Sequence, residues 1–195
     1  MRHRNRKSIF RGGWIDYKGE KIEIMNSYEY GVYSEILYSF ISQFDLIINR
    51  HRRVLVLFLQ LHVNYYSEDN KHISNLFKNI KQFLKRKYGM DYVGHQWVRE
   101  QEKSKKQHYH AALMLDGNLI QHPSNLLNKI QEMWLPRGHL FRLKNCFYYL
   151  GKNNTKETRR EVIYRASYMA KIRGKGYRPS QTKDYNSSRL KRIKK

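Results

Sequence analysis

The stretch WVREQEKSKKQHYHAALML, residues 97–115, decides the fold. It contains parts of two segments suited to β-strands, residues 92–100 and 108–115, on either side of the polar run EKSKKQ at 102–107. A short polar run between two segments rich in apolar and aromatic residues is typical of a β-hairpin. The sequence therefore predicts an antiparallel pair of strands at this point of the chain.

The second strand of this pair carries two histidines. Side chains of a strand alternate between the two faces of a sheet, so His108 and His110 project to one face. Tyr109 projects to the opposite face, which we expect to lie in the core. Two imidazoles at this spacing on one face can bind a single divalent ion together. We therefore predict a metal site here; an exposed histidine pair without any ligand is the alternative interpretation.

An acidic residue in the first strand offers a third ligand. If the turn is centred on Ser104, Glu100 lies opposite His108. Directly opposed residues of antiparallel strands share a face and lie close enough to interact. Glu100 is therefore the predicted third ligand. Because the register of the turn is an assumption, Glu102 remains an alternative.

The rest of the chain alternates two periodicities. Apolar residues recur at helical spacing in four segments, at residues 30–50, 73–84, 123–134 and 156–172. The apolar run RVLVLFLQLHV at 53–63 predicts a strand covered on at least one face. A hairpin near 14–24 and a last strand near 145–150 complete the pattern. The sequence predicts an α+β fold, a central antiparallel sheet of about five strands flanked by helices.

Charge and composition restrict the function. The 195 residues include 39 Lys and Arg against 16 Asp and Glu, a net charge of +23. Such a field attracts polyanions, so nucleic acid is the first partner to expect and an anionic membrane surface the second. The single cysteine, Cys146, excludes an internal disulfide framework and a cysteine-based zinc site.

The same features predict the organisation of the chain and its location. Residues 1–12 and 176–195 are basic and without periodicity, which predicts two basic arms around one domain at 13–175. The basic N-terminus is not followed by an apolar segment typical of a signal peptide, and no apolar run is long enough to span a membrane. We expect a cytoplasmic protein that does not insert into membranes.

Two tyrosines and a lysine form a stripe in EVIYRASYMAKIRGKG, residues 161–176. Tyr164, Tyr168 and Lys171 are four and three residues apart, which places them on one face of a helix. A phenol, with a pKa of about 10, attacks phosphorus only when a metal withdraws charge or a cation stabilises the phenolate. Lys171 can supply that cation. Tyrosines at the edge of a core are the alternative, and a second Tyr-x-x-Lys, at Tyr149, ranks lower.

These motifs occur in a recognisable order: an apolar strand, an acid eight residues before a His-x-His, and a helix with Tyr-x-x-Lys. The order resembles the three motifs of the HUH endonucleases, the rolling-circle replication initiators. WVREQEKSKKQHYHAALMLDG and YRASYMAKIRGKG are similar to the inovirus-type replication proteins of filamentous phages and prophages, grouped with the YagK/YfjJ C-terminal domain family. The likeness covers most of residues 50–178.

The resemblance implies a fold and an activity. Both histidines would lie on the middle strand of an HUH-type sheet, with the tyrosine helix over that face. The activity would be that of a metal-dependent DNA endonuclease, a nickase and strand transferase that cuts one strand at a phage or prophage origin and keeps its 5′ end as a phosphotyrosine.

The resemblance also implies roles for the candidate residues. His108, His110 and Glu100 would bind a divalent metal ion. The expected ion is Mg²⁺ or Mn²⁺, because a phosphate site with a carboxylate ligand suits these ions. Tyr168 would be the nucleophile and Lys171 its cationic helper. In relatives with two tyrosines a helical turn apart the second tyrosine also reacts, and whether the one at position 164 does so stays open.

The expected partners follow from the same resemblance. They are single-stranded DNA with an origin hairpin, in a bacterial host cell, together with a host helicase and polymerase; no small-molecule cofactor is expected. We expect Lys103, Lys105, Arg173 and Lys175 to contact the DNA backbone. Aromatics such as Trp97, if exposed, are candidates for stacking on unpaired bases, but for each of them a position in the core is the preferred interpretation. The alternatives are a non-enzymatic DNA-binding phage regulator and a related transposase or mobilisation enzyme.

Overall fold

The computed structural model describes residues 8–25, 31–101, 106–151 and 155–192. The helices are α1 (Ser34–Arg50), α2 (Lys71–Tyr88), α3 (Ser124–Trp134) and α4 (Thr155–Ala170). The strands are β1 (Ile9–Phe10), β2 (Trp14–Tyr17), β3 (Glu20–Glu23), β4 (Val32–Tyr33), β5 (Val54–Val63), β6 (Gly94–Glu100), β7 (His108–Asp116), β8 (Gly138–Phe141), β9 (Phe147–Leu150) and β10 (Tyr185–Ser187).

A six-stranded antiparallel sheet forms the centre of the fold. Its order is β10-β6-β7-β5-β8. The ninth strand, β9, pairs with the same edge of β5 as β8 does: β8 pairs with residues 60–63 of β5 and β9 with residues 54–57. The α+β prediction with a central antiparallel sheet is confirmed, with one strand more than expected. β7, which carries the two histidines, lies between β6 and β5, in the interior of the sheet.

Each face of the sheet is covered by two helices. On one face, α1 and α4 pack against alternate residues of the central strands, among them Val56 and Ala112. On the other face, α2 and α3 pack against the strand residues in between, among them Leu57 and Leu113. This alternation explains why the β5 run is apolar at nearly every position, because a strand buried on both faces has no solvent side.

The small hairpin β2–β3 is anchored on the α1 and α4 side. Ile15 and Ile22 lie opposite each other in the hairpin and are buried in the core of that face. The backbone N–H of Met25 donates to Ser167 Oγ at 2.7 Å, which joins the end of the hairpin to α4. Arg159 on α4 also pairs with Glu20 of β3 at 2.8 Å. These contacts hold the hairpin in a defined position beside α4.

The C-terminal segment does not begin a detached tail at residue 176, and that predicted boundary is wrong. β10 extends the central sheet by pairing with β6, so the sheet reaches beyond the predicted domain. Asp184, just before β10, is 3% exposed and forms an ion pair with Arg178 at 2.7 Å. The strand is only three residues long, and it is held by its pairing with β6 and by Tyr185, which packs against the core on the α1 and α4 side.

Residues 9 and 10, which fall within the predicted N-terminal arm, are part of the folded domain. Residues 1–7 lie outside the described part of the chain. β1 pairs with β4 just before α1, so residues 9 and 10 belong to a small two-stranded sheet. Two residues carry no detectable period, which is why the sequence does not predict this strand.

His95 of β6 makes stability dependent on pH. Its ring stacks on Phe77 of α2 with the ring centres 4.8 Å apart, and burial, aided by the charge of Lys81, lowers its pKa to about 3. An unfolded histidine titrates near pH 6.5. Between these values the unfolded state binds a proton that the folded state does not, so stability falls as the pH falls below about 6.5.

We expect a His95→Phe variant to lose this part of the pH dependence while keeping an aromatic ring against Phe77. Between pH 7.5 and pH 5 the free energy of unfolding of the wild type should fall by about 2 kcal/mol more than that of the variant. Urea titrations at the two pH values measure the difference. Equal losses in the two proteins would show that His95 is protonated in the folded state.

Candidate metal centre

The β6–β7 hairpin brings an acid and two histidines to one face of the sheet. Glu100 lies directly opposite His108, as a turn centred on Ser104 requires, and the predicted register is confirmed. His110 follows on the same face, which is the face covered by α1 and α4. The alternative acid, Glu102, lies outside the described residues.

The three side chains converge. Glu100 Oε2 lies 3.6 Å from His108 Nε2 and 3.4 Å from His110 Nε2. One potential ligand atom from each residue lies within 4.8 Å of those from the other two. Among the described residues, no other group of three or more His, Cys, Asp or Glu side chains comes together in this way. Two imidazoles and a carboxylate directed at one point can hold a divalent metal ion, so the donor set fits the predicted metal.

The carboxylate of Glu100 is buried but ionised. Its side chain is 1% exposed. Burial alone raises the pKa of Glu100, but the hydrogen bonds from His108 and His110, together with the charge of Lys175, outweigh burial and hold the pKa well below its ordinary value. Burial lowers the pKa of His110, which favours its neutral form. An anionic carboxylate beside a neutral imidazole is the protonation state that metal binding needs.

Glu100 is held from behind by a loop that follows α4. Lys175 Nζ lies 2.9 Å from Glu100 Oε1 and also donates to the backbone oxygen of Lys171. One carboxylate oxygen therefore faces the histidines and the other faces Lys175. Gly174, at φ +81°, allows the close approach, since a Cβ there would lie 3.3 Å from Glu100 Cβ. The backbone oxygen of Gly174 accepts from Gln101 N–H at 2.7 Å.

The C-terminal end of α4 brings Tyr168 and Lys171 to the same place. The Tyr168 ring lies 5.4 Å from the His110 ring, centre to centre, and meets it edge-on. Lys171 Nζ lies 3.6 Å from the centre of the Tyr168 ring and 3.6 Å from Glu100 Oε2. Tyr168 is 41% exposed, so its ring is open to solvent as well as to the histidines.

A single cavity of about 410 Å³ contains these side chains. Five predicted site residues line it: Glu100, His108, His110, Tyr168 and Lys171. Phe58, Leu143 and Met169 form part of an apolar wall. The structure therefore brings the predicted ligands, the predicted nucleophile and its cation together, although they come from three separate segments of the chain.

The other candidate tyrosines lie elsewhere. Tyr164, one turn earlier on α4, is 38% exposed and lines a neighbouring groove rather than this cavity. Tyr149 lies in β9 and packs on the opposite face of the sheet, where its hydroxyl donates to the backbone oxygen of Ile120 at 2.9 Å. It supports the connection between β7 and α3 and has no access to the metal ligands.

The predicted DNA contacts have mixed outcomes. Lys103 and Lys105 lie outside the described residues. Arg173 is exposed, which agrees with a surface role. Lys175 is not a surface residue: its side chain is 0% exposed and its charge is used by Glu100, so its assignment as a backbone contact is wrong. Trp97 is 2% exposed and belongs to the core under α2 and α3, so it cannot stack on a base.

Two polar residues of β5 escape the sequence prediction. Gln60 lies opposite His110 and His62 opposite His108, so both border the metal ligands from the neighbouring strand. The His62 ring stacks on the His108 ring at 5.5 Å. Burial, with the neighbouring histidines, lowers the pKa of His62. The sequence could have indicated both residues, because they are the two polar residues of the otherwise apolar strand β5 and lie on the same face of it.

Fold and site together define an α+β domain with a candidate metal centre on the sheet and a tyrosine helix beside it. A family model for the YagK/YfjJ C-terminal domain matches residues 17–187. The chain belongs to this family. The match includes β10, in agreement with the position of that strand in the central sheet.

Two further comparisons add no relatives. No curated protein and no solved structure matches the chain at a significant level. Among the described residues, the structure contains no helix that is long and apolar enough to cross a membrane.

The Glu100→Gln substitution tests whether Glu100 is the third ligand. Glu100→Gln keeps the shape of the side chain but removes the anionic oxygen that faces the histidines, so we expect Mn²⁺ affinity to fall by at least about tenfold. Isothermal titration with Mn²⁺ measures it. Glu102→Gln is the matched control and should bind Mn²⁺ like the wild type. The reverse ranking would identify Glu102 as the ligand.

Proposed function

We propose that this protein is a metal-dependent endonuclease that nicks single-stranded DNA and holds the cut 5′ end on Tyr168. The observation that carries the proposal is the position of Tyr168 in the same cavity as Glu100, His108 and His110. A protein that only binds DNA has no need to bring a tyrosine and three metal ligands together from separate segments. The net charge of +23 supports a nucleic acid as the substrate.

The metal ligands set up the reaction. Glu100, His108 and His110 would hold the divalent cation, and we propose Mg²⁺ or Mn²⁺ because the substrate is a phosphate ester. When bound, such an ion polarises the scissile phosphate as a Lewis acid. Lys175, 2.9 Å from the other oxygen of the carboxylate, adds to the effect of the two histidines in keeping Glu100 ionised and holds it directed at them. Positioning of this kind is typical of residues behind a metal ligand.

Tyr168 performs the nucleophilic step. Its hydroxyl oxygen attacks phosphorus, the bond from phosphorus to the 3′ oxygen breaks, and the leaving oxygen takes a proton from water. The phenol proton passes to solvent, to which Tyr168 is 41% exposed. The Lys171 ammonium, 3.6 Å from the ring centre, stabilises the negative charge that develops on the phenol oxygen.

The products explain the biological role that we propose. A free 3′ hydroxyl can prime DNA synthesis, and the phosphotyrosine conserves the energy of the broken bond. Reversal of the same step by a 3′ hydroxyl rejoins a strand without a nucleotide cofactor. These properties suit initiation and termination of rolling-circle replication at a phage or prophage origin, in the cytoplasm of a bacterial host that supplies helicase and polymerase.

A library experiment tests the proposal and needs no defined origin sequence. Wild-type protein is incubated with randomised single-stranded DNA and Mn²⁺, denatured, and the DNA that remains attached is sequenced. We expect attached strands that share one sequence at the junction, and none after addition of EDTA. The absence of attached DNA, with retained reversible binding, would favour a non-enzymatic DNA-binding regulator. A junction at transposon or plasmid transfer sites would favour a mobilisation enzyme.

A further inference from the structure

A second groove lies beside the metal cavity, between the β2–β3 hairpin and α4. Its volume is about 570 Å³. It shares two lining residues with the metal cavity, Met25 and Arg165, so the two spaces adjoin. Nothing in the proposed cleavage step uses this groove.

The helix α4 connects the two spaces. Tyr168 lines the metal cavity and Tyr164, one turn earlier, lines the groove. Four helical residues correspond to an axial shift of about 6 Å, on the order of one nucleotide of an extended strand. A strand with its scissile phosphate at Tyr168 therefore reaches the groove with an adjacent nucleotide.

The groove presents aromatic surface that the fold does not bury. Trp14 of β2 is 49% exposed and Tyr164 is 38% exposed, and both line the groove. Exposed aromatic side chains beside a positively charged path are the usual platform for unpaired bases, because every base has a face on which a ring can stack. Bases in a duplex have both faces covered by their neighbours.

Charge in the groove favours a phosphate backbone. Lys21, Arg160 and Arg165 line it, against the two acids Glu23 and Glu161. Arg165 is fixed at the boundary with the metal cavity, since its guanidinium donates to the backbone oxygen of Lys144 at 3.1 Å.

The platform is pre-arranged. The hairpin that carries Trp14 is fixed to α4 through Met25 and Ser167 and through the Arg159–Glu20 ion pair. Its apolar residues Ile15 and Ile22 are buried. Trp14 therefore has a defined position relative to Tyr168, and binding needs little ordering of the protein.

We infer that this groove binds an unpaired nucleotide next to the scissile phosphate, with its base stacked on Trp14 and Tyr164 and its phosphate near Arg165. The inference rests on the proposed function for the identity of the strand. It adds a recognition site that selects single-stranded over double-stranded DNA beside the cleavage point.

Tryptophan fluorescence tests the inference directly, because Trp97 and Trp134 are 2% and 1% exposed and only Trp14 of the three tryptophans is open to a ligand. Tyr168→Phe protein in EDTA is titrated with a twelve-nucleotide single strand, so that no cleavage occurs. We expect saturable quenching that follows the binding curve from fluorescence anisotropy of a labelled strand, and little quenching by the matching duplex. Binding of the single strand without quenching would overturn the inference.

A substitution provides the second measurement. Trp14→Ala should bind the single strand on the order of tenfold more weakly, because loss of one stacked base is worth that much. Leu119→Ala is the matched control, since Leu119 is 45% exposed but lies beyond the opposite end of β7 from His108. Equal affinities of the Trp14→Ala and Leu119→Ala proteins would overturn the inference. Because these measurements need neither metal nor cleavage, their outcome does not depend on the nicking assay. Failure of this inference can therefore be distinguished from failure of the proposed function.

Discussion

His108→Ala/His110→Ala protein should neither bind Mn²⁺ measurably nor nick DNA. Loss of a residue that merely supports a ligand costs about 10- to 100-fold in metal affinity, and this variant lacks two of the three ligands themselves. We therefore expect Mn²⁺ affinity to fall by more than about 100-fold. Isothermal titration measures the affinity, and a denaturing gel of a labelled single strand measures cleavage.

DNA binding should survive the same change. Affinity for the phosphate backbone comes from lysines and arginines and depends steeply on salt, and the double substitution leaves those residues intact. His122→Ala is the matched control, because His122 is exposed and lies in the loop before α3, outside the metal cavity. Full cleavage by the double variant would show that the histidines do not hold the catalytic metal.

Tyr168→Phe should abolish the covalent adduct while leaving the fold and the metal site intact. Phenylalanine keeps the ring that meets His110 edge-on and underlies Lys171, and it removes only the attacking oxygen. Because the side chain is 41% exposed, we expect the melting temperature to change little. A denaturing gel after incubation with Mn²⁺ and a cleavable strand reports the adduct.

Tyr164→Phe provides the comparison. It keeps the ring in the groove and removes a hydroxyl that does not line the metal cavity, so a first adduct should still form. If the Tyr164→Phe protein fails to form an adduct while the Tyr168→Phe protein forms one, the two tyrosines have exchanged roles. In that case α4 must move relative to the sheet when DNA binds.

The sequence is sufficient to predict the three candidate metal ligands, because one hairpin contains all of them. A turn centred on Ser104 fixes which residues face each other, and the alternation of side chains fixes the face. The same alternation places Trp97 on the face opposite Glu100, so the sequence also contains the reason why Trp97 is buried.

Other features depend on contacts between distant segments. The role of Lys175 arises because the loop after α4 folds behind Glu100, and the sequence shows only a lysine in a basic segment. β10 is only three residues long, and its partner, β6, lies about 90 residues earlier. Trp14 becomes part of a groove only because the hairpin docks on α4. Local periodicity carries no information about such long-range pairing.

The central claim, attack by Tyr168, is tested most directly by mapping the adduct in the wild-type protein. Arg165 separates the two tyrosines of α4, so trypsin places Tyr168 in the peptide 166–171, Tyr164 in 161–165 and Tyr149 in 145–152. After nuclease trimming of the attached DNA, mass spectrometry identifies the peptide that retains a nucleotide. We expect the nucleotide on peptide 166–171. A nucleotide on peptide 161–165 or 145–152, with none on 166–171, would contradict the assignment of Tyr168.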